Sequence, residues 1–168
     1  SSNLERLLYS VCGSDTEVAG YMAELAGTGR YEVSDAVKAV IGKHFVGGYC
    51  SDDETKSAIN KVYTENGYLM DTHTAVAYNK LAAYRKDTGC VTPAVVVSTA
   101  SPYKFCNSVL QALGQESDAP GTELIEKLSE VTKTAIPKPL EGLDRREKRF
   151  ELVVDKPEMK ATVADFLK

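Results

Sequence analysis

The sequence predicts an α/β unit rich in helices and poor in strands. Three features lead there. Apolar residues recur at helical spacing over most of the chain, beginning with Leu4, Leu7, Leu8 and Val11. Glycines punctuate those runs where helices should stop. One short apolar run, Val95-Val96-Val97, ends in the hydroxyl residues Ser98 and Thr99 and passes through Ser101-Pro102 into another helical pattern. A buried strand entering a helix through a polar turn is where open α/β sheets place their ligands.

The elements follow in order. Ser2 or Asn3 can cap a first helix through Cys12, with Gly13 as its stop. A second helix fits Thr16 to Ala26, ended by Gly27-Thr28-Gly29, and a third fits Tyr31 to Ile41, with Val33, Val37, Val40 and Ile41 on one side. A loop holding Gly47-Gly48 leads to Ser51-Asp52-Asp53-Glu54, which has the form of a capping box. The helix behind it carries Ile59, Val62 and Tyr63 and ends at Asn66-Gly67. Tyr68-Leu69-Met70 reads as a brief strand, Ala75 to Lys86 as a helix and Ala94 to Ser98 as a strand. Helices follow over Ser101 to Leu113 and Thr122 to Thr134, before Pro137 and Pro139 break the chain. A second main strand is expected over Phe150 to Val154, and a last helix from Pro157.

The tally is roughly eight helices and two or three strands. No repeat, low-complexity tract or boundary divides the chain, so residues 1–168 read as a single unit. So few strands make a poor sheet on their own. Such a chain fits a piece of a larger α/β fold whose other strands lie elsewhere.

Composition narrows the function classes. Hydrophobic residues make up 43% and charged residues 26%, an ordinary globular balance. The 24 acids and 20 bases are interspersed, giving a net charge of −4 and no basic stripe for nucleic acid. No apolar run approaches the roughly 18 residues of a membrane span. Glu5 and Arg6 interrupt the first apolar stretch, so no signal peptide is expected there. Cys12, Cys50, Cys90 and Cys106 form no CxxC pair and read as scattered thiols of a cytoplasmic protein, with no metal site.

Three segments could carry chemistry. Asp71-Thr72-His73-Thr74 stands at a helix start, where free N–H groups and the dipole suit an anion; Asp71 as a plain N-cap explains it equally. At Ser98-Thr99 to Lys104, hydroxyls at a strand end could meet a ring nitrogen or phosphate oxygen, and Lys104 could reach an anion. The plainer reading makes Ser101 a cap, Pro102 the first helical residue and Lys104 a solvated surface charge. Ser2-Asn3-Leu4-Glu5-Arg6 could line a polar pocket or merely begin a helix. No phosphate-loop motif, nucleophile elbow or paired-histidine metal motif is present.

In this order, residues 1–9 (SSNLERLLY), 71–77 (DTHTAVA) and 98–105 (STASPYKF) resemble threonine synthase. The helix from Ser51 to Gly67 and the tail from Phe150 to Leu167 also resemble that family's carboxyl-terminal part, so the likeness covers essentially the whole chain. Thr72 stands where the family usually has proline, and Ala77 where it commonly has glycine. The resemblance implies the carboxyl-terminal, helix-rich portion of a pyridoxal-phosphate enzyme of the tryptophan-synthase-β-like type (fold type II). The family converts O-phosphohomoserine and water to threonine and phosphate.

The resemblance also implies roles. Thr99, with Ser98 beside it, matches the hydroxyl expected near the pyridine nitrogen of the cofactor. A neutral hydroxyl there, unlike an aspartate, would not keep that nitrogen protonated. Lys104, Arg6, His73 and Asn3 match candidate substrate contacts. The family's Schiff-base lysine and its Gly/Asn-rich phosphate loop lie upstream of the segment matching Ser1-Ser2-Asn3. No residue of this chain is therefore assigned as catalytic. The chain alone is expected to be inactive and to hold no pyridoxal phosphate, its partner being the missing amino-terminal part. The alternative is a non-catalytic α/β domain that binds a small anion or a protein. The absent lysine and loop favour it, and the strand–helix junction could hold an anion unaided.

Overall fold

The computed structural model describes residues 2–167 except 117, 120, 148 and 150. The chain divides into two compact units, Ser1–Tyr49 and Cys50–Lys168. The change falls just after Gly47-Gly48, in a stretch where Val46 and Tyr49 stand exposed and add nothing to a core.

The first unit holds α1 (Ser2–Cys12), α2 (Asp15–Thr28) and α3 (Asp35–Gly42). α1 packs on both of the others around Leu8, Val18, Tyr21 and Val37. Serines set both later starts: Ser14 accepts from the Glu17 amide and Ser34 from the Val37 amide. α3 therefore begins four residues later than the apolar spacing from Tyr31 suggests, because a capping hydroxyl outranks periodicity at a boundary. The Tyr21 hydroxyl donates to Glu17 and accepts from the Ser34 amide, tying α2 to the start of α3.

The second unit holds α4 (Asp52–Asn66), α5 (Thr72–Thr88), a 3₁₀ turn (Pro102–Phe105), α6 (Cys106–Ala112), α7 (Glu123–Thr132) and α8 (Met159–Phe166), with further 3₁₀ turns between α7 and α8. The expected capping box is present: Ser51 and Glu54 exchange side-chain and backbone bonds at the head of α4. α4 packs against α5 and α6, and α6 against α7. Ile59, Val109, Leu110 and Leu128 are at most 1% exposed and form the centre of this core. Each such side chain contributes roughly 1.5–3 kcal/mol of burial. Asn60 reaches across to donate to the Ala112 carbonyl at 2.9 Å, satisfying an end of α6 that its own ladder leaves open.

The expected strands are corrected. Among the described residues there is no β-ladder, and the regular structure is entirely helical. Leu69 and Met70 are buried, but as a short link between α4 and α5. Residues 94–98 lack a pairing partner; Val95 is 90% and Val97 68% exposed. Of the strand expected over Phe150 to Val154, Phe150 lies outside the described residues and 151–154 form no ladder. A strand is made by a neighbour that takes up its backbone N–H and C=O groups, and within this unit none is supplied. The helix expected over Ser101 to Leu113 is also broken in two. Phe105, at φ −127° and ψ 39°, separates the 3₁₀ turn from α6.

Candidate functional site

Asp71 is the anchor of the site. It is fully buried and caps α5, its Oδ1 accepting from the amides of His73 at 2.9 Å and Thr74 at 3.4 Å. The Thr74 hydroxyl donates to its other oxygen, Oδ2. Burial works to raise this carboxyl, but the Thr74 hydroxyl, the two amides and the neighbouring His73 outweigh it and hold it below the ordinary aspartate range. The cap reading of Asp71 is therefore correct, with an added connection. The Thr74 oxygen also lies 3.1 Å from the Ser98 hydroxyl oxygen. A buried helix start thus touches the hydroxyl segment 24 residues further along the chain.

Ser98 and Thr99 are both exposed at the end of the extended segment. Thr99 forms no hydrogen bond with other described residues, so its hydroxyl is available to a ligand. Beyond it, Ser101 accepts from the Tyr103 amide as a cap, with Pro102 in the first turn. That part of the plainer reading holds. Tyr103 is buried, and its hydroxyl donates to the Thr134 carbonyl at 2.8 Å. Ser129 donates to the same carbonyl, and the Thr132 and Thr134 hydroxyls meet at 2.7 Å. This network fastens the 3₁₀ turn to the end of α7.

With Tyr103 turned inward, its neighbours face outward. Lys104 is exposed, its Nζ 5.6 Å from the centroid of the Phe105 ring. The His73 ring lies 5.1 Å from the same centroid, tilted by 52°. Phe105 is therefore a shared platform for a lysine and a histidine. His73 is also 3.4 Å from Asp71 Oδ1 through Nδ1, with its side chain 67% exposed. His73 and Phe105 border an open cleft of about 480 Å³, together with Lys56, Thr72, Ser108 and Gln111.

The structure thus brings together Ser98, His73 and Lys104, through Thr74 and Phe105, and places Thr99 next in the chain. Asn3 and Arg6 belong to the first unit. They are exposed on α1, and the Arg6 guanidinium donates to the Asn3 side chain. Arg6 also borders a groove between α1 and α2 with Glu5 and Asp15. Sequence reasoning named Thr74 within residues 71–74 but missed its link to Ser98, and it missed the role of Phe105. Thr74 had a signal, being the third helical residue after an aspartate cap, where a hydroxyl can reach the cap carboxylate. Phe105 had none, since its spacing reads simply as an inward helical position. Among the described residues no cluster suited to a metal ion occurs, and no helix is long and apolar enough to cross a membrane.

The second unit thus presents a capped carboxylate, a hydroxyl segment and an outward lysine. Residues 74–164 match the family described as threonine synthase, C-terminal. The chain belongs to the threonine synthase family. Among curated relatives, threonine synthase-like 1 of Homo sapiens is 36% identical over 115 residues, covering 67% of this chain and 15% of that protein. Threonine synthase of Pseudomonas aeruginosa is 33% identical over 122 residues, covering 71% of this chain and 26% of that protein. Yeast threonine synthase superposes on 99% of this chain and 34% of its own, with a TM-score of 0.70 and 26% identity. The PLP-bound threonine synthase of Brucella melitensis matches 99% of this chain and 32% of its own, with a TM-score of 0.65 and 28% identity. The chain therefore spans between 15% and 34% of the length of these relatives.

Proposed function

We propose that this chain is the carboxyl-terminal portion of a threonine synthase, and that it forms one wall of the pyridoxal-phosphate site of a fold-type-II enzyme. The parent enzyme converts O-phosphohomoserine and water to threonine and phosphate. The observation that carries this reading is the joining of the α5 start to Ser98 through Thr74 and Asp71. It sets an uncommitted Thr99 hydroxyl beside a buried, fixed support.

The residues present fit part of the cofactor's needs. Thr99 offers a neutral hydroxyl, both donor and acceptor, to the ring nitrogen. The buried carboxylate nearby, Asp71, is already occupied by two amides and a hydroxyl and serves as a cap. Pyridoxal phosphate, when bound, supplies an electron sink, whose strength the group beside its nitrogen tunes. Ser98 is a neighbouring contact. Lys104 and His73, held on Phe105, are cationic or donor groups suited to the substrate's phosphate or carboxylate. Arg6 and Asn3, which lie in the first unit, are substrate contacts on the resemblance alone. The covalent anchor and the phosphate-binding loop belong to the part of the enzyme outside this chain, so the chain alone is inactive and cytoplasmic cofactor is not retained by it.

Thr99→Val in the assembled enzyme tests the reading. Losing one hydrogen bond at the ring should lower turnover roughly tenfold, with an unchanged melting temperature because Thr99 is exposed. Unchanged turnover would remove Thr99 from the site.

A further inference from the structure

We propose that Thr74 is a positioning residue, whose hydroxyl bond to Ser98 fixes the Ser98-Thr99 turn and leaves the Thr99 hydroxyl free to face a ligand. The inference rests on the reading of Thr99 as the cofactor-facing hydroxyl. It starts from the two partners of one hydroxyl. Thr74 is directed at the Asp71 carboxylate and at the Ser98 oxygen, 3.1 Å away. The buried carboxylate fixes the Thr74 rotamer, and Thr74 in turn holds the Ser98 side chain. Thr99, next in the chain, forms no hydrogen bond with other described residues, and its hydroxyl is left to a ligand.

The support is rigid where the supported segment is not otherwise held. Asp71 is 0% and Thr74 4% exposed, and both stand in the first turn of a 17-residue helix. Residues 91–99 form no ladder. Two hydrogen bonds tie them to α5: Arg85 to the Thr92 carbonyl at 2.9 Å, and Thr74 with Ser98. The first is six residues away from Ser98, so among the described residues the Thr74 bond is the one from α5 that holds the end of the segment carrying Thr99. Proline at 102 and the Ser101 cap then hold the far side of the turn.

The test is made on the 168-residue chain without cofactor, by backbone ¹⁵N relaxation and the Ser98 χ1 couplings. In the unchanged chain Ser98 and Thr99 should show rigid order parameters, roughly 0.85, and one Ser98 rotamer. Thr74→Val should drop both residues to roughly 0.6 or below and average the Ser98 couplings. Thr74→Ser, which restores the hydroxyl, should return both readings. Ser98→Ala breaks the same bond from the exposed side without touching the cap. It should loosen Thr99 equally, and it decides the matter if Thr74→Val fails to fold. A Thr99 that stays rigid in Ser98→Ala or in folded Thr74→Val overturns the proposal, as does a folded Thr74→Ser that remains loose. Because no cofactor is present, these outcomes are independent of Thr99→Val turnover, which judges the cofactor reading separately.

Discussion

At Asp71 one carboxylate does three jobs: it caps α5, neutralises the need of a buried hydroxyl and sits beside His73. Asp71→Ala should cost about 1–3 kcal/mol, combining a lost cap with a buried hydroxyl left without its acceptor. Asp71→Asn should cost less, because asparagine also caps. Urea unfolding of the three chains at neutral pH measures both. The pH dependence has a definite sign. The folded carboxyl lies below the ordinary 3.8, so its contribution is complete above that value. It is lost as pH falls through the lower, folded value. The stability gap between the unchanged chain and Asp71→Asn should therefore be constant near neutrality and shrink in acid. A gap that grows on acidification would mean that burial, not hydrogen bonding, dominates at Asp71.

The elements show where local sequence signals suffice and where they fail. Caps were legible because their chemistry is local: Ser51 with Glu54, Asp71, and the left-handed glycine Gly67 all act within one turn. The segment 94–98 was misread as a strand because its apolar content is right while strand formation depends on partners elsewhere. The platform of His73 and Lys104 on Phe105 was invisible, since it depends on the break at Phe105 and on Tyr103 being fastened to Thr134. Two outcomes follow at this scale. Tyr103→Phe removes the hydroxyl donor to Thr134 and should cost roughly 1 kcal/mol, read by urea unfolding. Lys133 closes α7 at φ 55°, a left-handed position where glycine is easier. Lys133→Gly should be stabilising by up to roughly 1 kcal/mol; a loss of stability would show that the lysine side chain holds that turn.

For the whole molecule, the chain forms two compact helical units, and apolar surface is left uncovered. Val91 and Val95 stand at least 90% exposed on the unpaired segment, and Leu152, Val163 and Phe166 border an open apolar groove near the carboxyl terminus. Surfaces of that kind associate. Light scattering should show a mass that rises with protein concentration, and a constant monomer mass would contradict this. Under the proposed function, this chain forms a wall of a cofactor site without the residue that bonds the cofactor. Borohydride reduction of the chain mixed with pyridoxal phosphate, followed by peptide mass analysis, tests this most directly. No lysine should be labelled stoichiometrically. One lysine trapped at one equivalent per chain would contradict it.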